Sequence, residues 1–296
     1  MRAISTPKGT FIYDRNTGNC FFTNTKKADK WLKPLYAQIA LTQKCNLSCW
    51  HCYADSSPNN GCEWPIGRLK WLIQFLDAWG IFGVAYGGGE PFMYPHLCEI
   101  AQYTWKQTGL DVSITTNGHA AKEEQIKQLE GYVGEVRISI RRLNDCKQLS
   151  KFLHKKFEVG VNLLLYKGSS PVLEDIVERC TSLGIKDFLV NSFVATGRGT
   201  IYADRTPIKE DFVEFSDIIN KHMDEKGLTV KVSARLAVNL QPHLKRSFQP
   251  FQDEEKGRIL SITADGKLKP SSMAKESYPF KDESQIIAIY RKKIVL

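Results

Sequence analysis

Apolar and polar positions alternate along the chain in a repeating way. From Ile66 to Trp79, apolar residues at 66, 69, 72, 73, 75, 76 and 79 recur at helical spacing, and Gly80 ends the run. Between such runs lie short apolar segments without that period: YAQIAL (36–41), IFGVAY (81–86), DVSITT (111–116), EVRISI (135–140), VGVNLLLY (159–166) and DFLVNSF (187–193). These read as strands. Helical patterns follow them at YPHLCEIAQYTWKQ (94–107), AKEEQIKQLE (121–130), CKQLSKFLHKK (146–156), PVLEDIVERCTSLG (171–184) and 208–225. Six strand-then-helix units between about 36 and 226 predict an α/β fold, a parallel sheet curled into a partial (β/α)6, TIM-like barrel. Ligands in such sheets bind at the carboxyl ends of the strands.

The flanks follow other patterns. TFIYD (10–14) and CFFTN (20–24) surround the turn-forming RNTG, which predicts a short N-terminal β-hairpin extension. TVKVSARLAV (229–238) and RILSIT (258–263) read as strands, and Asp-Gly in ITADGK suits a hairpin turn. The expected division is therefore 1–34, a hairpin extension; 35–227, the barrel; and 228–296, a small C-terminal extension over the barrel's open side.

Composition narrows the setting. Apolar residues make up 42% of the chain and aromatic residues 11%, a globular composition. The longest apolar runs are far too short to span a membrane, and the first residues lack an apolar secretory core, so a cytoplasmic location is expected. The net charge of +9 fits an anionic partner or a basic solvated surface; without a long Lys/Arg run, nucleic acid is not the expected partner.

Eight cysteines occur, and three sit together in CNLSCWHCYAD as C-x3-C-x2-C: Cys45, Cys49 and Cys52, directly after the first barrel strand. Clustered cysteines in a large cytosolic chain more often hold metal than form disulfides. One reading is structural zinc, with Cys62 or, less well placed, His51 as fourth ligand. The other is an iron–sulfur cluster held by three thiolates, which leaves one iron open. Five further thiols, Cys20, Cys62, Cys98, Cys146 and Cys180, share no metal spacing. The second strand ends in YGGGEP (86–91), where glycines free the backbone for close approach and Glu90 adds a carboxylate suited to an ammonium group.

Together these motifs resemble the radical S-adenosylmethionine (radical SAM) enzymes. The C-x3-C-x2-C signature matches Cys45, Cys49 and Cys52, and the Gly-Gly-Glu motif matches Gly88, Gly89 and Glu90. TTNG (115–118), RISI (137–140) and VNLLLYKG (161–168) extend the likeness over about 36–226. The resemblance implies one 4Fe–4S cluster on the three cysteines, with S-adenosyl-L-methionine on the open iron. It places Gly88, Gly89 and Glu90 at the amino group of that cofactor, Thr116, Asn117 and Ser139 at its carboxylate or ribose, and the backbone around His51 and Tyr53 at its adenine. It further implies a reductant such as flavodoxin or ferredoxin, reductive cleavage to a 5′-deoxyadenosyl radical, and hydrogen abstraction from a substrate.

ITADGKLKPSSM (262–273) is similar to the C-terminal (twitch/SPASM-like) element with which relatives hold further clusters, but Ser271 and Ser272 stand where a cysteine is expected and no cysteine follows Cys180. That element suggests a peptide substrate, which the N-terminal hairpin would present by strand addition. A small anionic metabolite or nucleotide is the alternative, with Arg141, Arg142 and Arg198 at the barrel mouth to receive it. The radical enzyme that cyclises GTP is similar in the barrel, but this chain lacks its C-terminal three-cysteine set. From a different class, a non-catalytic zinc-binding scaffold is the remaining reading.

Overall fold

A computed structural model describes residues 1–6, 9–15, 19–24, 33–244 and 257–295. The chain opens with β1 (Arg2–Thr6), β2 (Gly9–Asp14) and β3 (Asn19–Thr23), an antiparallel sheet in the order β1-β2-β3. The expected hairpin is β2–β3, although residues 16–18 of its turn lie outside the described residues. β1 adds a third strand that the sequence pattern did not announce, because RAIST carries only two apolar side chains.

The barrel follows in strand–helix order: β4 (Tyr36–Thr42), α1 (Ile66–Trp79), β5 (Gly83–Gly88), α2 (Leu97–Gln107), β6 (Asp111–Thr116), α3 (Glu123–Leu129), β7 (Glu135–Ser139), β8 (Glu158–Leu165), α4 (Ser170–Ser182), β9 (Asp187–Ser192) and α5 (Lys209–Lys226). Then come β10 (Thr229–Val232), α6 (Ala234–Leu240), β11 (Ile259–Ile262), β12 (Lys267–Lys269), β13 (Tyr278–Pro279) and α7 (Glu283–Ile289). The ten-stranded sheet runs β10-β9-β8-β7-β6-β5-β4-β11-β12-β13. β4 to β9 are the six expected strands, and β10 and β11 lengthen the parallel run at its two ends. The segment after 228 thus extends the sheet: Ile259 pairs with Tyr36 and Ile262 with Ile39, then β12 turns back antiparallel through the expected Asp265-Gly266 turn. Among the described residues, no helix is long and apolar enough to cross a membrane.

Two expectations change. CKQLSKFLHKK does not form an α-helix; a 3-10 helix covers Leu143–Lys151 instead. Its buried residues Cys146 and Leu149, with buried Phe152 at its C-cap, stand three apart, the repeat of a 3-10 turn. TVKVSARLAV is β10 only as far as Val232. Ala237 N–H then donates to the Ser233 carbonyl, and Leu236, Ala237 and Leu240 bury one side of α6.

The core lies between sheet and helices, from Ala37, Ile39 and Leu41 on β4 to Phe188 and Val190 on β9. Tyr86 on β5 reaches Thr104 on α2, hydroxyl to hydroxyl at 2.6 Å. The other face of the late strands is charged. The Arg137 guanidinium, with its side chain 8% exposed, donates to Glu135 at 2.5 Å, Asn162 Oδ1 at 2.8 Å and Asp187 at 2.8 Å. Gly160 makes the room, since a Cβ there would sit 2.7 Å from Arg137 Nη1. Burial raises the Asp187 pKa, but Arg137 and Lys231 outweigh it and hold the carboxyl below its usual range.

The N-terminal sheet docks where the strands begin. Tyr13 stacks on Phe82 at 5.4 Å, and Arg15 donates to the Thr108 and Leu110 carbonyls at 2.6 and 3.1 Å. It therefore occupies the pole opposite the strand ends.

Arg137→Ala leaves partly buried Glu135 without its cation and Asp187 with Lys231 alone, and we expect a loss of about 3 kcal/mol at pH 7, read as a lower denaturant midpoint at unchanged slope. Because the folded-state pKa of Asp187 is depressed, its stabilisation is complete above about pH 4 and fades as pH falls through the folded value. The gap between wild type and variant should shrink in acid.

Candidate active site

The cysteine loop leaves β4 at Thr42 and is held from two sides. On the first side, Gly89 N–H donates to the Thr42 carbonyl at 2.7 Å and Glu90 N–H to the Lys44 carbonyl at 2.9 Å. Such backbone contact leaves no room for a side chain. A Cβ on Gly88 (φ +112°) would lie 2.5 Å from Thr42 O, and one on Gly89 would collide with Lys44 O. The glycines were expected to free the backbone for a ligand; here the chain itself makes the close approach, and Gly87 is the one that faces open space.

Glu90 is fully buried. Its carboxylate accepts from Thr116 Oγ1 at 2.6 Å, Asn117 N–H at 2.8 Å and Phe92 N–H at 3.1 Å. Burial pushes its pKa up against these donors. Glu90 therefore joins the ends of β5 and β6. Asn117 then reaches the cysteine loop, donating to Asn46 Oδ1 at 2.9 Å.

On the second side, the turn Gly197-Arg198 after β9 grips the loop. Arg198 N–H donates to the Cys52 carbonyl at 3.0 Å, and its guanidinium to the Cys49 and Ser56 carbonyls at 3.0 and 2.6 Å. It also pairs with Asp55 at 3.0 Å. Gly197 sits at φ +56°, with room for no Cβ against the Cys52 and Tyr53 carbonyls.

Each sulfur of the triad accepts one N–H from a different direction. Cys45 takes Asn117 Nδ2 at 3.9 Å, Cys49 takes Arg141 Nη1 at 2.9 Å, and Cys52 takes Ser56 N–H at 3.4 Å. Burial pushes the Cys45 pKa up to about 11. Among the described residues, the ligand-type atoms gathered within 4.8 Å of one another belong to Glu174, Glu178 and His222, not to the cysteines. Burial pushes the pKa of Cys62, the suggested fourth zinc ligand, upward, with Asp265 of the β11–β12 turn adding to this and Lys267 at the start of β12 opposing it. His51 is edge-on to Trp50 at 5.1 Å; burial lowers its pKa to about 4, and its Nδ1 is buried without a hydrogen-bond partner among the described residues.

The remaining expected residues divide. Thr116 and Asn117 lie in the Glu90 network, and Ser139 ends β7, half-buried. Tyr53 is 41% exposed. Arg141 touches both Cys49 and Asp145, whereas the Arg142 side chain is 70% exposed and meets Asp145 at 3.4 Å. Arg198 spends its donors on its own chain. Sequence reasoning missed Asp145, whose buried carboxylate gathers Arg141, Arg142 and His119. Burial raises its pKa, yet the two guanidinium groups bring it below the usual range. Its position four residues after Arg141, beyond a strand end, was the available signal.

Residues 39–210 match the family model described as the Radical SAM superfamily. The antilisterial bacteriocin subtilosin biosynthesis protein AlbA of Bacillus subtilis is 26% identical over 68% of this chain and 49% of its own length. A GTP 3′,8-cyclase of Chlorobaculum tepidum is 29% identical over 55% of this chain and 50% of its own. The chain spans about half the length of these curated relatives. Among solved structures, Streptococcus suis SuiB bound to precursor peptide SuiA has a TM-score of 0.76 at 13% identity, covering 100% of this chain and 89% of that one. anSMEcpe with bound AdoMet has a TM-score of 0.65 at 14% identity, covering 88% and 80%.

Arg198→Ala should loosen the cysteine loop without unfolding the barrel. We expect hydrogen exchange at Cys52 and Asp55 to quicken about tenfold, with amides in β4 and β5 unchanged.

Proposed function

Because the chain belongs to the radical SAM superfamily, whose enzymes use a 4Fe–4S cluster and S-adenosylmethionine, we propose that it modifies a peptide by hydrogen-atom abstraction at the mouth of this barrel. Cys45, Cys49 and Cys52 would hold the cluster. The observation that carries this assignment is the N–H donor aimed at each of the three sulfurs, from the ends of β6 and β7 and from the cysteine loop itself. When bound, the cluster and S-adenosylmethionine supply one-electron cleavage of the sulfonium and the radical chemistry that follows. The protein positions and shields: Glu90 fixes Thr116 and Asn117, Arg198 fixes the loop, and Arg141 brings positive charge to Cys49. Gly87 to Glu90, Thr116, Asn117, Ser139 and the backbone at His51 and Tyr53 form the surface we assign to S-adenosylmethionine. An external one-electron donor such as flavodoxin or ferredoxin completes the reaction.

The peptide reading is supported by AlbA, by the name of a bacteriocin biosynthesis protein, and by the fold shared with peptide-bound SuiB over the whole chain. The N-terminal sheet supplies a second support. Among the described residues β3 pairs as a strand with β2, at one end of the sheet order, and shows Phe21 and Phe22 at 56% and 52% exposure. Such an edge accepts a strand. It lies at the far pole, so a peptide held there must cross the height of a seven-residue strand, roughly 23 Å. A nucleotide is the second reading, favoured by the likeness to GTP 3′,8-cyclases and by exposed Arg142.

Precursor-type peptides and GTP should be compared as stimulants of 5′-deoxyadenosine release. We expect stimulation by a peptide with about seven or more residues between its docked segment and its modified residue, and its loss in a Phe21→Glu, Phe22→Glu variant. Stimulation by GTP alone would replace this reading with the nucleotide one.

A further inference from the structure

The side of the mouth away from Glu90 is built from aromatic rings around Trp50, which lies inside the cysteine motif between Cys49 and His51. Tyr166, directly after β8, meets the Trp50 ring at 5.3 Å, and Phe193, directly after β9, meets it at 4.9 Å. Tyr202 meets it at 5.4 Å from the 3-10 segment Gly197–Arg205. That segment is the one whose Gly197 and Arg198 grip the cysteine loop, and its last residue accepts at its carbonyl from Lys167 N–H at 2.9 Å. The rings therefore stand in a fixed place at three strand-end loops, where ligands bind in parallel sheets.

Arg205 lies over these rings, its guanidinium carbon 4.5 Å from the Trp50 centroid and 5.3 Å from that of Tyr202. The residue is exposed, and among the described residues no acceptor or carboxylate engages its guanidinium. It differs in this from Arg141, Arg142 and Arg198, which are committed to Cys49, Asp145, Asp55 and backbone carbonyls. Stacking leaves the edge of a guanidinium free, and that edge presents a fork of N–H donors matched to a carboxylate. The ring faces beside it suit the methylene stem of an acidic side chain.

We infer that Trp50, Tyr202 and Arg205 form a substrate subsite that takes the carboxylate of an acidic residue near the modified position of the peptide. The inference rests on the peptide reading above. It assigns the cofactor to the β5–β7 ends of the mouth and substrate selection to the β8–β9 ends.

The test uses the reconstituted holoenzyme with S-adenosylmethionine under anaerobic conditions. The probes are two acetylated octapeptides that differ only in a central Glu-Glu or Gln-Gln pair, and GTP. Calorimetry should give about tenfold or more tighter binding of the Glu-Glu peptide, the contribution of a charge-assisted bidentate contact. Arg205→Gln should abolish that preference, and Arg205→Lys should retain part of it. Lys127→Gln, which removes the same charge from exposed α3, should leave the preference intact. Equal binding of the two peptides to wild type, or a preference that survives Arg205→Gln, overturns the subsite. Failure of the underlying reading looks different: neither peptide raises 5′-deoxyadenosine release, and GTP does.

Discussion

Backbone packed on backbone at the end of β5 is the contact on which the rest of the site depends. Gly88 and Gly89 let that strand end lie against Thr42 and Lys44, and two N–H···O bonds of 2.7 and 2.9 Å lock the start of the cysteine loop to the sheet. Any side chain at either position would push the strands apart. The same strand end then delivers Glu90 into a buried pocket, where Thr116 and Asn117 at the end of β6 and Phe92 N–H of its own turn hold it. Asn117, fixed by that carboxylate, leans back onto Cys45 and Asn46. The first cysteine is thus placed by a closed circuit through three neighbouring strands. Its rigidity comes from polar groups satisfied inside the fold.

The opposite half of the mouth uses a different device. Arg198 acts as a strut across the opening, joining the loop after β9 to Cys49, Cys52, Asp55 and Ser56. Trp50 fills the space beside it with aromatic contact. A loop of three cysteines has little apolar surface of its own to bury, so its shape is imposed by neighbours from both flanks. An open parallel sheet provides this, because all its strand ends converge at one pole. The N-terminal sheet at the other pole leaves that mouth clear.

The parallel barrel was legible in the sequence because each strand is a short apolar run and most helices keep a 3.6-residue period. Where the period changed, the reading changed with it. Cys146, Leu149 and the capping Phe152 repeat every three residues, and the segment forms a 3-10 helix rather than the expected α-helix. The three cysteines and Gly-Gly-Glu were legible as motifs, being local. Long-range partners were not. Nothing local links Arg198 to carbonyls some 140 residues earlier, or Asp145 to His119, and a charged side chain at a strand end reads equally as a ligand for substrate or as a strut. Ser261 and Ile262 read as part of a strand, but only the fold shows β11 beside β4.

The central claim is that Cys45, Cys49 and Cys52 together hold one 4Fe–4S cluster with an iron left open. The most direct measurement is iron and sulfide analysis with electron paramagnetic resonance on anaerobically reconstituted protein, before and after S-adenosylmethionine is added. The account predicts about four irons per chain, a reduced-cluster signal that changes on adding S-adenosylmethionine, and loss of both in the Cys45→Ala, Cys49→Ala, Cys52→Ala variant. One tightly bound zinc with no iron, or a four-iron cluster that survives the triple substitution, would contradict it.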